Sequence, residues 1–293
     1  MLHQGHGGFE TAEYISKTLP LQLLQHPPAS HSDLFSNLDK SIISNFKADH
    51  SIFHRKSPDW IHHAQLMKSG CTAMILDIDL NNLISHFSNA GDSRLVICST
   101  LNHQITLQTN DLNTKTASER ERLSLEHPNE GSMFIQNRLF GRLMCTRGEY
   151  IMSLTTLPSI TIHFQGFGDG YYKLPKGPLG DVQYRKYIKT LSSIERPGII
   201  PLIDQYESLF YGYKTPPYIT ARPETGQYQF KSCDIAILAT DGLWDLISGE
   251  AAAQIILHGA THNEDHLAKY LLEQVIDLGL KPQDDVTIII FLA

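Results

Sequence analysis

Three short acidic motifs lie far apart in this sequence, and each lies at the end of an apolar, strand-like run. They occupy residues 89–94 (Asn-Ala-Gly-Asp-Ser-Arg), 240–245 (Thr-Asp-Gly-Leu-Trp-Asp) and 283–287 (Gln-Asp-Asp-Val-Thr). A fourth segment, residues 5–8 (Gly-His-Gly-Gly), lies almost at the start. Several strands that end close together can direct carboxylates at one divalent cation. The spacing therefore predicts a fold that gathers distant strand ends at one site.

Length and composition limit the class of protein. With 293 residues and 41% hydrophobic content, the chain can bury one large core, so we expect a single domain over residues 1–293. The 31 acidic residues outnumber the 24 lysines and arginines. No basic field for nucleic acid or anionic lipid is therefore predicted. No apolar run approaches the roughly 20 residues that cross a bilayer, and no targeting presequence is evident.

The four cysteines do not form a recognisable redox or metal motif. Cys71, Cys98, Cys145 and Cys233 are widely separated, with no Cys-x-x-Cys pair. This spacing predicts core thiols in a reducing compartment rather than disulfides or zinc ligands.

The periodicity of apolar residues predicts a mixture of helices and strands. Helical spacing indicates helices over residues 9–24, 33–46, 117–125, 244–257 and 266–278. Alternating or continuous apolar runs indicate strands over residues 73–80, 83–88, 94–99, 234–240 and 286–292, the last two buried. Residues 166–223 are rich in Gly, Pro and Tyr and are expected to form an irregular surface insertion with one or two short helices. Strands mixed with helix pairs favour an α+β layered sandwich.

Two aspartates have the sequence context expected of metal ligands. Asp241 directly follows a predicted strand, and Asp284 directly precedes another. Hydrolysis of a phosphate monoester at neutral pH needs a nucleophile and neutralised phosphoryl oxygens, and two metals about 4 Å apart can supply both. Taken alone, each Asp is more often a helix cap or turn residue. A lone histidine in a Gly-rich turn, such as His6, is likewise usually structural.

The four motifs together resemble those of the metal-dependent serine/threonine protein phosphatases of the protein phosphatase 2C type. Residues 69–73 resemble the family's Ser-Gly-x-Thr-Ala strand entry, and residues 89–94 its Gly-Asp-Ser-Arg hairpin. Residues 240–245 resemble its Thr-Asp-Gly-x-Trp-Asp block, and residues 284–287 its Asp-Asn-x-Thr block, with Asp285 in place of Asn. The resemblance implies a four-layer α/β/β/α sandwich with two central antiparallel sheets, here without its N-terminal edge strands.

Three further segments resemble one branch of that family. Residues 118–128 and 215–224 are similar to the mitochondrial pyruvate dehydrogenase phosphatases and their fungal relatives, and residues 167–173 resemble the family's Phe-Gly-Asp segment. The branch implies a mitochondrial location, with a cytoplasmic one as the alternative.

The resemblance also implies an activity and a site. The expected reaction is hydrolysis of phosphoserine or phosphothreonine in a phosphoprotein, by a water activated by two Mg²⁺ or Mn²⁺ ions, with a weaker third ion beside them. Asp241 and Asp284 would bind one metal, the Gly5 carbonyl the second, and Asp92 with Asp241 a weaker third ion. His6 would be the general acid that protonates the leaving oxygen. The supporting motif residues are Thr72, Gly91, Ser93, Gly242 and Thr287.

The first motif departs from the family pattern at Gln4. The family has an Asp there that bridges both metals, and a neutral amide offers one oxygen but no charge. Two explanations remain open. Residues 1–4 replace the true upstream sequence through a truncated or misassigned reading frame, or the chain is a pseudophosphatase that binds phosphoproteins without hydrolysing them.

Overall fold

The computed structural model describes residues 1–50, 55–113, 116–130, 133–135, 138–140, 166–175, 180–194 and 214–293. The strands within them are β1 (Leu2–His6), β2 (Gly70–Asp79), β3 (Ile84–Ala90), β4 (Arg94–Ser99), β5 (Ile105–Gln108), β6 (Phe134–Ile135), β7 (Arg138–Leu139), β8 (Phe167–Gly168), β9 (Glu224–Gln229), β10 (Asp234–Ala239) and β11 (Ile288–Leu292). The α-helices are α1 (Glu10–Leu23), α2 (His31–Asp49), α3 (Trp60–Lys68), α4 (Ala117–Glu126), α5 (Gly170–Lys173), α6 (Asp181–Ser193), α7 (Asp241–Trp244), α8 (Gly249–Thr261) and α9 (Leu267–Asp277).

Two antiparallel sheets form the centre of the described structure. The first has the strand order β1-β2-β3-β9, with β8 also paired to β2. The second has the order β11-β10-β4-β5. Strands β3 and β4 are consecutive in sequence but belong to different sheets, so the turn between them crosses from one sheet to the other. That turn carries the Asp of the Gly-Asp-Ser-Arg motif.

Three hydrophobic clusters show that the sheets are stacked between helices. Alternate β2 side chains, including Cys71, Ala73 and Ile75, pack with residues of α1, α2, α3 and α6. The intervening Met74 packs with Leu95 and other residues of the second sheet. The outer face of the second sheet packs on α8 and α9. Because strand side chains alternate between faces, one sheet can serve both layers, and the predicted four-layer α/β/β/α order is confirmed.

The sequence predicted most of these elements within a few residues. The helices predicted near residues 9–24, 33–46 and 266–278 correspond to α1, α2 and α9. The helix predicted over residues 244–257 is instead two helices, because the Ser248 side chain caps a new helix by accepting a hydrogen bond from the Ala251 N–H.

The last predicted strand is less buried than its sequence indicates. We expected a buried strand over residues 286–292, but β11 is the outer strand of its sheet among the described residues. Ile289 is 37% exposed and Leu292 59% exposed. A continuous apolar run does not distinguish an outer strand from a central one, so this prediction was wrong in its burial.

The described residues of the predicted insertion pair with and pack against the first sheet of the domain. Phe167 and Gly168 pair with β2, and Tyr184 is fully buried in the cluster that covers the first sheet. Tyr172 and Tyr187 are also buried there, as residues that pack the insertion rather than line a groove. The boundaries of residues 166–223 as an insertion stay a prediction.

The described cysteines fit the predicted core thiols. Cys71 and Cys98 are buried and unbonded to another sulfur, and Cys233 is a half-buried free thiol. Burial raises the pKa of Cys71 to about 12 and that of Cys98 to about 11, so both are unreactive thiols near neutral pH. Cys145 lies outside the described residues. Among the described helices, none combines the length and apolar character that a membrane crossing needs.

A buried glutamate on α4 gives a prediction about stability. Burial raises the pKa of Glu119 to about 7, against the opposing charge of Arg122 and with the help of Glu126 and Glu224. The folded chain therefore holds a proton that the unfolded chain, with an ordinary Glu pKa of 4.5, releases. Stability is thus lost as the pH rises from about 4.5 to about 7.

We expect Glu119→Gln to remove this loss. At pH 8 the variant should have a Tm about 2–4 °C above the parent, for a cost on the order of 1 kcal/mol, and at pH 4.5 the two should melt alike. Scanning calorimetry at both pH values measures the difference. Equal Tm differences at the two pH values would show that Glu119 is ionised in the folded chain without cost.

Candidate active site

The candidate site lies at one end of the layer between the two sheets. Leu2 and Met74 pack inside this layer, and Leu2 faces Met74 in the register of β1 and β2. Residues two apart on a strand project to the same face, so Gln4 projects on the same side as Leu2. Gln4 pairs with Thr72. The sheet register therefore brings the Gly-His-Gly-Gly segment beside the strand entry that was predicted to support the site.

Gln4 makes direct contact with a predicted metal ligand. Its amide Nε2 donates a hydrogen bond to Asp284 Oδ2 at 3.3 Å, across 280 residues of sequence. Its Oε1 is buried and has no hydrogen-bond partner within the described part of the chain. Gln4 is thus next to Asp284, and its amide occupies one carboxylate oxygen of this predicted ligand.

The turn between β3 and β4 is held in a fixed shape around Asp92. The Asn89 side chain donates hydrogen bonds to the carbonyl oxygens of Gly91 and Ser93, at 3.3 and 2.8 Å. Gly91 has a φ of +140°, and a Cβ there would overlap the Thr72 side chain. These contacts explain the Gly of this motif, and Asp92 in the same turn is only 8% exposed.

Asp92 lies among other carboxylates. Burial, and then the charges of Asp241 and Asp111, raise the pKa of Asp92 to about 7. Arg94 binds Asp111 with two hydrogen bonds, from Nε at 2.8 Å and from a terminal nitrogen at 2.6 Å. Carboxylates brought together against their own repulsion attract a cation, because a positive charge between them relieves both repulsion and desolvation.

Asp241 and the segment that carries Asp284 are joined through Thr240. The Thr240 N–H donates to the Thr287 carbonyl at 3.1 Å, and its hydroxyl donates to the Asp285 carbonyl at 3.1 Å. That hydroxyl also accepts from the Thr287 N–H at 3.0 Å. A Cβ on Gly242 would overlap the Asp285 carbonyl oxygen. The Thr and Gly of the two motifs thus allow the end of β10 and the approach to β11 to lie in contact.

His6 is held by an aspartate that the sequence motifs did not identify. Its Nε2 lies 2.8 Å from Asp169 Oδ2, and its side chain is 39% exposed, so the ring remains accessible. Burial lowers the pKa of His6, but the charge and hydrogen bond of Asp169 and the charge of Asp92 outweigh that effect. The pKa of His6 is consequently raised, which favours the protonated imidazole required of a general acid.

The donor atoms suit a hydrated divalent cation. Besides Gln4 Oε1, three buried polar atoms near the β3–β4 turn have no hydrogen-bond partner within the described part of the chain: Thr72 Oγ1, Asn89 Oδ1 and Ser93 Oγ. Buried polar atoms without partners indicate space for an ion or ordered water. In the described ranges, no three His, Cys, Asp or Glu side chains lie close enough together to hold a metal ion by themselves. Mg²⁺ and Mn²⁺ keep several waters, so such an open set of oxygens fits them.

The structure brings most of the predicted residues into one neighbourhood. Asp92 is coupled by charge to Asp241 and to His6, while Gln4 contacts Asp284. Gly5 lies between Gln4 and His6 on β1 and is exposed. Asp169 was missed as a site residue. The Gly-rich sequence around it and its likeness to the Phe-Gly-Asp segment were the available signals.

Comparison with known proteins shows the family of the chain. The family model described as Protein phosphatase 2C matches residues 2–148 and 167–283. The chain therefore belongs to the protein phosphatase 2C family.

Relatives and solved structures point the same way. Mitochondrial pyruvate dehydrogenase phosphatase 1 of Rattus norvegicus is 30% identical over 217 residues, which cover 67% of this chain and 32% of the relative. A protein phosphatase 2C homologue of Schizosaccharomyces pombe is 27% identical over 281 residues, covering 87% of this chain and 54% of the relative. The chain thus spans about a third to a half of the length of these relatives. A Toxoplasma gondii phosphatase shares the fold, with a TM-score of 0.57 at 15% identity, over 98% of this chain and 82% of that one.

Proposed function

We propose that this chain is a protein serine/threonine phosphatase that uses Mg²⁺ or Mn²⁺ to hydrolyse phosphoserine and phosphothreonine in a phosphoprotein. The observation that carries this proposal is the meeting of four sequence-distant motifs at one end of the inter-sheet layer. The contact between Gln4 and Asp284 and the charge coupling of Asp92 with Asp241 and with His6 join them. Membership of the protein phosphatase 2C family supports the same reaction class.

Each residue has a role that follows from its position. Asp241 and Asp284 would hold one metal, the Gly5 carbonyl a second, and Asp92 with Asp241 a third, weaker one. The ions would supply Lewis-acid chemistry, activating the attacking water and offsetting the negative charge of the phosphoryl oxygens. The accessible imidazole of His6 would donate a proton to the leaving serine or threonine oxygen.

One observation favours a second candidate function. Gln4 stands where the family has a bridging carboxylate, and its amide donates a hydrogen bond to Asp284. A site with this residue loses one negative charge for two dications. If that loss prevents metal pairing, the chain would act as a phosphoprotein-binding pseudophosphatase. The mitochondrial names of the pyruvate dehydrogenase phosphatase relatives lead us to propose mitochondria as the compartment for either function.

The proposed activity has a direct assay. With Mn²⁺, the chain should release phosphate from a phosphothreonine peptide, and EDTA should stop the release. Calorimetry with Mn²⁺ on the same sample shows whether the metal binds. Peptide capture without turnover, with Mn²⁺ binding weak or absent, would support the pseudophosphatase, and the absence of both peptide capture and turnover would contradict both functions.

A further inference from the structure

We propose that Asp169 is a positioning residue that holds His6 by its Nε2 nitrogen, so that Nδ1 is the nitrogen that delivers the proton to the leaving oxygen. This inference rests on the proposed function for the acid role of His6. The placement of the ring by Asp169 can be tested without catalysis.

The hydrogen bond assigns the two ring nitrogens of His6 to different tasks. Nε2 lies 2.8 Å from Asp169 Oδ2, and a carboxylate can only accept, so Nε2 carries a hydrogen. No other hydrogen bond of the His6 ring is found in the described part of the chain, which leaves Nδ1 for the substrate. An aspartate that fixes the tautomer and orientation of a histidine in this way also stabilises the imidazolium form.

The backbone around Asp169 is built to hold this carboxylate in place. Asp169 has a φ of +52°, in the left-handed region that Asp and Asn tolerate better than most residues. Its N–H donates to the Ser69 carbonyl at 3.1 Å, directly beside β2. The preceding Gly168 has a φ of +73°, and a Cβ there would overlap the same Ser69 carbonyl. The chain therefore adopts an unusual conformation at the point where it reaches His6.

Gly70 provides the space in which the two side chains meet. A Cβ on Gly70 would overlap both His6 Nε2 and Asp169 Oδ2. Gly70 faces His6 in the register of β1 and β2, and Gly168 in the register of β2 and β8. The glycine of the predicted strand entry thus has a specific purpose, because any side chain there would separate His6 from Asp169.

A buried ion pair holds residues 166–173, the segment that carries Asp169, against α2. Lys173 Nζ lies 2.7 Å from Asp39 Oδ1 on α2, and both side chains are buried. Asp39 Oδ1 also accepts from the Gly168 N–H at 3.1 Å, and Lys173 donates to the Gly166 carbonyl. Buried ion pairs contribute little net stability but can specify one arrangement. Here the pair determines where the 166–173 segment lies against the first sheet.

The proton transfer that this arrangement supports is balanced. When the phosphorus–oxygen bond breaks, the leaving oxygen takes the proton from Nδ1 of the imidazolium, so an N–H bond breaks and an O–H bond forms. His6 becomes neutral and keeps the hydrogen on Nε2, still donating to Asp169. The attacking water forms the new phosphorus–oxygen bond and releases its proton to solvent, and solvent then returns a proton to Nδ1.

The first test reads the His6 tautomer in the metal-free chain by ¹⁵N NMR at alkaline pH, with a His6→Gln variant to assign the signals. We expect neutral His6 in the parent to carry its hydrogen on Nε2. Asp169→Gly removes the carboxylate without straining the left-handed backbone, and it should give a mixture of tautomers. Asp169→Asn presents an amide that can donate as well as accept, so it should also lose the fixed Nε2–H tautomer. Hydrogen on Nδ1 in the parent, or an unchanged tautomer in Asp169→Gly, would overturn the proposal.

The second test separates proton delivery from general damage in the Mn²⁺-loaded chain. With a phosphothreonine peptide, kcat should fall about 100-fold in Asp169→Gly and about 10-fold in Asp169→Asn, with KM nearly unchanged. With p-nitrophenyl phosphate, whose leaving group needs little protonation, kcat should change less than about threefold. Equal losses with both substrates would overturn the role in proton delivery.

Asp49→Asn is the matched control. Asp49 Oδ2 lies 2.6 Å from His63 Nδ1 in a similar His–Asp pair between α2 and α3. Its replacement should change neither the His6 tautomer nor the ratio of the two activities, and a change as large as that of Asp169→Gly would contradict a specific effect. If no variant and no parent turns over, the proposed function fails, while the NMR result still decides whether Asp169 positions His6.

Discussion

Replacing Gln4 by Asp is expected to tighten Mn²⁺ binding by about 100-fold, equivalent to ~2.7 kcal/mol. Gln4 already contacts Asp284, and its Oε1 is buried without a partner in the described ranges, so a carboxylate at position 4, on a side chain one methylene shorter, would stand close to Asp284 and add a charge there. The gross attraction of an added charge for a dication at about 4 Å is several kcal/mol, of which desolvation removes much. Calorimetric titration with Mn²⁺ measures the gain.

The metal-free protein should respond in the opposite direction. Gln4→Asp replaces a donor to Asp284 with a second carboxylate, so the Tm without metal should fall and saturating Mn²⁺ should more than restore it. Gln4→Asn has the same side-chain length as Asp but no charge, and it should not gain affinity. If the Asp and Asn variants bind Mn²⁺ equally, position 4 does not contribute charge to a metal site. Under the proposed function, Gln4→Asp should also raise turnover.

Asp241→Asn is expected to reduce phosphatase turnover by at least about 1,000-fold, in the parent or in the Gln4→Asp background. Asp241 begins α7 directly after β10, is 8% exposed, and is charge-coupled to Asp92. Asparagine keeps the shape of the side chain but removes the charge that would serve two of the proposed ions. Steady-state hydrolysis of a phosphothreonine peptide, at Mn²⁺ concentrations up to saturation, measures the loss.

A charge-matched control separates this effect from a change in net charge. Asp277 ends α9 and is exposed, and Asp277→Asn should leave turnover and Mn²⁺ affinity unchanged. Circular dichroism and Tm should confirm that both variants are folded. Retained turnover of folded Asp241→Asn with Mn²⁺ would contradict the assignment of Asp241 as a metal ligand.

Local sequence patterns predicted most helices, strands and turns because each pattern depends on residues that are close together in the chain. The apolar stripes of α1 and α2 mark the faces that cover the first sheet, and the Gly-Asp pair between β3 and β4 marks a turn. The burial of β11 could not be predicted in this way. A run of five apolar residues looks the same in an outer strand as in a central one, and only the strand order distinguishes them.

The candidate site was predictable as far as motifs name residues, but the contacts among them were not. The Gln4–Asp284 hydrogen bond spans 280 residues and the His6–Asp169 pair spans 163, so no periodicity links them. The requirement for glycine at position 70 likewise follows from two side chains that approach from other elements. The sequence identified Gly70 as part of the Ser-Gly-x-Thr-Ala motif, and the structure shows why this position requires glycine.

The most direct test of the account is the location of bound Mn²⁺ in crystals of the chain, by anomalous scattering at saturating metal. The account predicts at least one strong peak within coordination distance of Asp241 and Asp284, near the Oε1 of Gln4, and no such peak in crystals of Asp241→Asn. Crystals that show no manganese at this end of the inter-sheet layer, at concentrations that saturate a known two-metal phosphatase, would contradict the central claim that these distant motifs form a metal site.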